Sequence, residues 1–341
     1  MAYLVISPGS CGEFIQGYAN GSSFMVTCPI NRYSYAYSGF DGTGDILPDK
    51  AAEAVKRTLV YLKRPDTIVP IKLKSYIPRG KGLASSTADI SAVCQATALS
   101  VGEILSPREL ATIALSIEPS DATFFEGIVE FDYRDGKVIR EMGHCPDMQI
   151  LIYDCGGEVD TMSFNNRKDL ISLQKSNQTE IEKAMSFLVE GLKNQSLEVI
   201  GKAATISAFA NQKILFKKPL EDFYTRGTAL GGKGVICAHS GTVLGLIVAP
   251  GADIEAIRTK IKDYDLGVFY LDTVRLTNQG MQIRKCKLMI LSQSRHGGDI
   301  FKLPRRTGWF LDFSININPL DFPERQRSTY SILGKRGIAV S

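Results

Sequence analysis

The sequence predicts an α+β fold in which helices cover one face of an antiparallel sheet. Three observations lead to this prediction. Short β-like runs separated by Gly, Asn and Pro dominate about the first 75 residues. An apolar run of small side chains extends from Gly82 to about Leu99, which is typical of a buried helix. Beyond residue 148 the predicted elements follow the order β-α-α-β-β-α-β.

The elements of the N-terminal half each have a local signal. The β-like runs lie at residues 3–6, 24–28, 33–38 and 69–74. A helix is predicted over about residues 49–63, because its apolar residues share one face. Another helix begins at Ser106, since Pro107 takes the first helical position and Glu109 completes a capping box.

The C-terminal half starts after the stretch FDYRDGK at 131–137, whose residues predict a hairpin turn. A buried strand is predicted at 148–154, and two helices over about 178–212. Two further strands are predicted at 234–238 and 243–248. They are followed by a helix near 252–263 and a last strand near 268–276. We place a domain boundary near residue 148, which divides the chain into residues 1–148 and 149–290.

Composition excludes several classes of function. The chain of 341 residues is 44% hydrophobic and 22% charged, and its net charge of +4 is too small to indicate a nucleic-acid partner. No apolar run approaches the roughly 18 residues that span a bilayer, and the first residues lack a signal-peptide pattern. We therefore expect no membrane partner and a cytoplasmic location. The seven cysteines form no C-x-x-C pair and the three histidines are far apart, so a zinc site is not expected.

The stretch PRGKGLASSTAD at 78–89 predicts a phosphate-binding loop. Glycines allow sharp turns and close approach to a ligand. Hydroxyls at a helix start offer anion and metal ligands beside free N–H groups, although such hydroxyls also cap helices. Neither the P-loop spacing nor the Rossmann spacing is present. The candidate phosphate-binding residues are Pro78, Arg79, Gly80, Lys81, Gly82, Leu83, Ala84, Ser85, Ser86 and Thr87.

The pattern P-x-x-x-G-L-x-S-S-x-A, which starts at Pro78, resembles the phosphate-binding motif of the GHMP kinases (galactokinase, homoserine kinase, mevalonate kinase and relatives). SPGSCGEFIQG at 7–17 and GGKGVICAHSGTVLGLIV at 231–248 resemble the first and third motifs of that family. The resemblance covers about residues 1–285. It implies the GHMP kinase fold, with an N-terminal ATP-binding domain like ribosomal protein S5 domain 2 and a ferredoxin-like C-terminal domain. It also implies ATP and Mg²⁺.

Within the family, four stretches are most similar to members that phosphorylate free L-threonine for cobalamin biosynthesis. They are PGSCGEFIQG, PRGKGLASSTADI, EPSDATFFEG and DCGGEVDT. The implied partners are ATP and L-threonine, and a homodimer is compatible with the resemblance. Two alternatives remain open from the residues themselves: a kinase of homoserine or another small alcohol, and a degenerate protein that binds nucleotide or amino acid without turnover.

Asp121 and Glu118 are the candidate acidic residues of the reaction. EPSDATFFEG resembles a stretch in the family member that acts on diphosphocytidyl methylerythritol, in which the aspartate is the general base. The resemblance therefore implies that Asp121 is the catalytic base and that Glu118 is an Mg²⁺ ligand. Ser86 or Thr87 is the candidate hydroxyl ligand of the same ion, since Mg²⁺ prefers hard oxygens. The alternative is that the two acids close a surface turn.

The first motif departs from the family at Ser10, where many members have a lysine that pairs with the catalytic aspartate. This leaves the charged form of Asp121 without one expected stabilising partner. A free amino acid carries an ammonium and a carboxylate, so its site needs acids and a cation. The candidate substrate-binding residues are Ser10, Glu13, Gln16, Arg32, Asp154, Glu158, Asp160 and Arg226.

A tail at 291–341 has a different character. SRHGGDIFKLP and LDFSININPLD within it resemble the extreme N-terminus of threonine-phosphate decarboxylase, a pyridoxal-phosphate enzyme. The lysine that binds that cofactor has no counterpart here, so we expect no decarboxylase activity. The enzyme that the tail resembles consumes threonine phosphate, which is the product implied by the kinase resemblance.

Overall fold

The structure is a computed structural model, and it describes residues 2–19, 21–40, 42–159, 163–164 and 166–286. The predicted α+β class is confirmed within this part of the chain, because helices pack against a large antiparallel sheet. Asp160 and the tail at 291–341 lie outside the described residues.

The strands form one sheet, and every described ladder is antiparallel. They are β1 (Ala2–Ala19), β2 (Ser22–Ser38), β3 (Lys72–Ser75), β4 (Ile128–Phe131), β5 (Val138–Gly143), β6 (Gln149–Asp154), β7 (Gly234–Cys237), β8 (Val243–Val248), β9 (Phe269–Arg275) and β10 (Gln282–Cys286). The main order is β5-β4-β2-β1-β7-β8-β6-β9, while β3 pairs with β2 and β10 pairs with β1.

The helices form two groups along the chain. The first group is α1 (Asp49–Tyr61), α2 (Ser85–Ser100) and α3 (Pro107–Leu115). The second is α4 (Leu170–Ser176), α5 (Gln178–Asn194), α6 (Leu197–Ala210), α7 (Leu220–Ala229) and α8 (Ile254–Asp263). The predicted capping box of α3 is present, with the Ser106 hydroxyl accepting from the Glu109 amide and the Glu109 carboxylate accepting from the Ser106 amide.

Helix α2 is buried on all sides from Thr87 to Leu99. Its alanines and serines allow neighbouring elements to approach closely, and a helix enclosed in this way needs no polar face. It packs against α1, α3 and the strands β1 and β2. The centre of the N-terminal half therefore holds the start of α2 in a defined position.

The predicted short strands at 3–6, 24–28 and 33–38 are parts of the long strands β1 and β2. Glycines and prolines in these runs suggested interruptions, but β1 continues through them with register shifts between Pro8 and Gly9 and on both sides of Glu13. Helices α4 and α7 were not predicted. The sheet passes across residue 148, since β1 pairs with β7 and β10 as well as β2. The division into two domains remains a prediction.

Three apolar clusters make up the core. One lies under α1, α2 and α3, a second lies between β1 and the helices α5 and α6, and a third joins β6, β7 and β8 to α7 and α8. Among the described helices, none has the length and apolar character needed to cross a membrane.

Candidate active site

The predicted phosphate-binding loop docks on the turn between β7 and β8. Gly82 has a φ of +82°, and a Cβ on it would lie 2.4 Å from the Cβ of Ala238. A Cβ on Gly241 would lie 2.4 Å from the carbonyl oxygen of Lys81. The Thr242 amide donates to that same carbonyl oxygen at 3.1 Å. Both glycines are therefore required by close approach between the loop and the turn.

Lys81 is held by the C-terminal half of the chain. Its ammonium lies 2.8 Å from the Asp154 carboxylate and donates to the carbonyl oxygen of Gly157 at 3.0 Å. Burial alone would raise the pKa of Asp154, but the hydrogen bond from Lys81 holds that pKa below its ordinary value. Two residues predicted for different ligands, a phosphate and an ammonium, are thus paired with each other.

The first turn of α2 carries the loop's hydroxyls. The helix has Ala84 at its N-cap, in the left-handed region with a φ of +54°, and neither a side-chain cap nor an acidic residue in the first turn. Its first N–H groups and its positive dipole end are therefore directed at the space in front of the loop. The alternative that these hydroxyls cap the helix is not met, because no side chain forms a capping hydrogen bond at its start.

Ser86 and Glu118 meet beside this turn. The Ser86 hydroxyl donates to one oxygen of the Glu118 carboxylate, and the Lys50 ammonium donates to the other. Glu118 is buried, whereas about half of the Lys50 side chain is exposed. One carboxylate, one hydroxyl and one cation thus converge at a single point.

Asp121 approaches the same helix one residue further on. Its amide donates to the Thr87 hydroxyl at 3.2 Å, and that hydroxyl lies 3.4 Å from the Asp121 carboxylate. Burial and the nearby negative charges of Glu13 and Glu118 raise the pKa of Asp121 to about 7, against the hydrogen bond from Thr87. This carboxyl changes its charge near neutral pH, as a proton acceptor should.

Glu13 lies at the irregular part of β1, opposite Thr27 of β2 and Cys237 of β7. One oxygen of its buried carboxylate accepts from the amide and from Nδ1 of His239, both at 2.9 Å. Burial alone would lower the pKa of His239, but Cys237 and Glu13 raise it. Its Nε2 lies 2.9 Å from the Ser207 hydroxyl.

Ser10 and Gln16 flank Glu13 on the same strand. The Ser10 amide donates to the carbonyl oxygen of Leu83 at 3.0 Å, and the Gln16 amide donates to the Ser207 hydroxyl at 3.3 Å. The Ser10 hydroxyl and the Gln16 Oε1 atom are buried and have no hydrogen-bond partner among the described residues. Unpaired polar atoms of this kind are costly in a folded protein and are expected where a ligand supplies the partner.

Comparisons with known proteins agree with this geometry. The sequence profile of the GHMP kinases N terminal domain matches residues 47–126. The L-threonine kinase of Salmonella typhimurium is 30% identical over 265 residues, which cover 76% of this chain and 87% of that protein. The L-threonine kinase of Citrobacter freundii is 29% identical over 286 residues, which cover 81% of this chain and 98% of that protein.

The chain belongs to the GHMP kinase family. It is therefore a small-molecule kinase with an alcohol acceptor, and the predicted GHMP kinase fold is confirmed. Two solved structures with the same fold are the homoserine kinase of Cytophaga hutchinsonii and the mevalonate kinase of Methanococcus jannaschii. Their TM-scores are 0.60 and 0.61 at 18% identity, and the matches cover 83% and 81% of this chain and 97% and 98% of theirs.

The structure brings some of the predicted GHMP kinase site residues together and leaves others apart. Glu13, Glu118 and Asp121 lie around the start of α2, as their contacts and electrostatic coupling indicate. Arg32 instead forms a bidentate pair with Asp272, with distances of 2.5 and 2.7 Å.

Four more predicted residues lie apart from this cluster or outside the described residues. Arg226 lies over the ring of Tyr264, 5.0 Å from its centroid. The guanidinium of Arg79 pairs with Asp89 at 3.3 Å. Glu158 is exposed, and Asp160 is outside the described residues.

Three residues of the site were missed by sequence reasoning: Lys50, Ser207 and His239. His239 lies within the third glycine-rich stretch, so its position in a family motif was an available signal. Ser207 lies in a helix that reads as ordinary core, and Lys50 opens the first turn of α1. Their sequence neighbourhoods contain no motif, because their partners are distant along the chain.

Proposed function

We propose that this GHMP kinase transfers the terminal phosphoryl group of ATP to the side-chain hydroxyl of L-threonine, forming O-phospho-L-threonine. The observation that carries the proposal is the position of Asp121, a carboxyl of raised pKa at the first turn of α2, beside the phosphate-binding loop. The two relatives named L-threonine kinase support threonine as the acceptor. The role of this product in cobalamin biosynthesis, implied by the sequence resemblance, belongs to the same proposal.

The triphosphate would bind at the loop and the N-terminus of α2. The glycines at 80 and 82, both at positive φ, turn the backbone so that its amides face the ligand. The uncapped first turn of the helix contributes further N–H groups and the positive end of the dipole. Phosphoryl transfer depends chiefly on such positioning and charge stabilisation.

Ser86 and Glu118 would hold Mg²⁺. The donor set fits this metal, because a carboxylate and a hydroxyl oxygen already lie in contact and Mg²⁺ takes few protein ligands besides phosphate and water. When bound, Mg²⁺ neutralises negative charge on the phosphates. Lys50 pairs with the Glu118 carboxylate and compensates its negative charge.

Asp121 would accept the proton of the threonine hydroxyl as the new O–P bond forms and ADP leaves. Thr87 orients the carboxylate through its contacts with the amide and side chain of Asp121. The ammonium of the acceptor would face Glu13 and the unpaired Oε1 of Gln16, which supply negative charge and an acceptor. The missing lysine at Ser10 is consistent with a base of raised pKa.

The acceptor assay tests this function directly. Purified protein is incubated with Mg-ATP and L-threonine, L-serine, L-homoserine or no acceptor, and ADP is followed over time. We expect threonine-dependent ADP release and a product identified as O-phosphothreonine by mass spectrometry and phosphorus NMR. A preference for homoserine or serine would contradict the threonine assignment, and ATP binding without turnover on any acceptor would favour a degenerate binding protein.

A further inference from the structure

Lys217 is a buried cation that the steps above do not use. It follows α6 in the segment before α7, and only 5% of the residue is exposed. Its ammonium donates to the carbonyl oxygen of Ala238 at 2.8 Å, in the turn on which the phosphate-binding loop docks. No carboxylate pairs with it among the residues that the structure describes.

The backbone of Lys217 is held firmly. Its amide donates to Oε1 of Gln212 at 2.7 Å, and its carbonyl oxygen accepts from the Gln212 side-chain amide at 2.9 Å. The positive charge of Lys217 also acts on the thiols of Cys155, which directly follows β6, and Cys237, which ends β7. The cation is thus held near the ends of these two strands, beside the turn on which the loop docks.

Lys217 lines a cavity of about 610 Å³. One wall comprises residues 155–159, next to the pair that Asp154 forms with Lys81, and another comprises Gly241 and Thr242 of the docking turn. The carboxylates of Glu158, Asp222 and Asp265 also line it. A cavity with a buried cation and carboxylates on its walls has the charges that a zwitterion requires.

An unpaired buried ammonium is costly unless a ligand compensates it. An anion at Lys217 would have the required charge, and the donors of the ammonium beyond the bond to Ala238 would bind it. Arg32 and Arg226, which the sequence offered for the acceptor's carboxylate, are engaged with Asp272 and Tyr264. Lys217 therefore replaces them as the candidate for this role.

The location also suits an amino acid. Ala238, which holds the Lys217 ammonium, is followed directly by His239, which holds Glu13. The two ends of a zwitterion would then be recognised on either side of one short turn. We propose that the ammonium of Lys217 binds the carboxylate of the amino-acid acceptor. This inference rests on the proposed function, because it requires an amino-acid substrate.

The test compares L-threonine with L-threoninamide, in which a neutral amide replaces the carboxylate. Steady-state kinetics are measured for the wild type, Lys217→Met and Lys217→Arg. The matched control is Lys213→Met, which removes an exposed charge from the same segment and lies outside the lining of the cavity. L-serine and L-homoserine are assayed beside their amides in the same way.

We expect Lys217→Met to raise KM for threonine at least tenfold with little change in kcat, while its kcat/KM for threoninamide stays within twofold of the wild-type value. Lys217→Arg should retain a preference for the carboxylate, and Lys213→Met should leave both substrates within twofold. An equal loss on both substrates, or an unchanged KM for threonine in Lys217→Met, would overturn the proposal.

Failure of the proposed function gives a different pattern. If serine or homoserine is the acceptor, the threonine assignment is wrong. The ratio of kcat/KM for that amino acid to kcat/KM for its amide still decides the role of Lys217. A protein that phosphorylates none of these amino acids overturns both proposals.

Thermal unfolding by circular dichroism verifies that Lys217→Met folds. Lys217→Gln, which can still donate to the Ala238 carbonyl, supplies the same comparison if the methionine variant does not fold.

Discussion

Glu118 and Asp121 lie in the same turn, three residues apart, and each contacts a hydroxyl in the first turn of α2. Their electrostatic surroundings nevertheless differ. Glu118 has the Lys50 ammonium on one of its oxygens. Among the described residues no cation pairs with Asp121, and the negative charges of Glu13 and Glu118 act on it together with burial.

The difference shows how far the surroundings of two acids in one short turn can diverge. A cation next to a carboxylate favours its charged form, whereas burial beside other acids favours the protonated form. Asp121 has the second kind of surroundings, and its pKa is raised to about 7. The missing lysine at Ser10 acts in the same direction, because a cation at that position would lower the pKa of Asp121.

The largest effect is expected from Asp121→Asn, which removes the proton acceptor. We expect kcat to fall about 10²- to 10⁴-fold, as for the loss of a general base, while nucleotide binding by calorimetry is unchanged. Because the folded protein raises the pKa of Asp121 from its ordinary value of 3.8 to about 7, the stability that the protonated carboxyl contributes is lost as pH rises from 3.8 to 7, and the full penalty of a charged Asp121 is present above that range. The variant should therefore unfold at pH 8 no earlier than the wild type.

The control for this variant is Glu126→Gln, since Glu126 is an exposed acid of the same segment whose contact is with His144. It should retain wild-type kcat. Near-normal turnover in Asp121→Asn would contradict the assignment of the base and leave positioning as the main source of catalysis.

A smaller effect is expected from Glu118→Gln. Removing the buried carboxylate should weaken apparent Mg²⁺ affinity about 10- to 100-fold, comparable to the loss of groups that support a metal site. Titration of activity with Mg²⁺ at saturating ATP measures this change, and high Mg²⁺ should restore much of the lost rate. If the rate is lost at every Mg²⁺ concentration, Glu118 does not act through the metal.

Glu13→Gln should alter the pH profile more than the rate. In the wild type, kcat/KM should rise with pH through about 7, because Asp121 must be ionised to accept a proton. Removing the negative charge of Glu13 should move this limb to lower pH. Glu130→Gln is the matched control, since Glu130 is also a buried glutamate but pairs with Arg140 at 3.0 Å. A limb that does not move would show that Glu13 does not raise the pKa of Asp121, which leaves burial and Glu118 as the causes.

Lys50→Met should have the smallest effect. The side chain of Lys50 is 48% exposed, so water screens its charge and the pair contributes little. We expect apparent Mg²⁺ affinity to fall by a few-fold, because the Glu118 carboxylate loses the ammonium that holds one of its oxygens in place. Lys56→Met, an exposed lysine of the same helix, should show no change. A loss of apparent Mg²⁺ affinity as large as that of Glu118→Gln would indicate that Lys50 contacts a bound ligand directly.

The parts of the protein that sequence reasoning predicted depend on short-range patterns. The capping box of α3 joins residues three apart, and the residues of the phosphate-binding motif are contiguous. The same is true of the pairing of Asp121 and Glu118 within one turn. Interruptions at glycine and proline were misleading, because β1 and β2 accommodate them with shifts of register rather than by ending.

The amino-acid sequence by itself determined the α+β class, the GHMP kinase motifs and the identity of the acids beside the phosphate-binding loop. Only the tertiary structure decided their partners. Glu13 and His239 are 226 residues apart in the sequence, and Lys81 in the loop before α2 pairs with Asp154 at the end of β6. The physical reason is that a hydrogen bond within one turn follows from local geometry. The charge beside a buried group instead depends on which strands and helices pack around it.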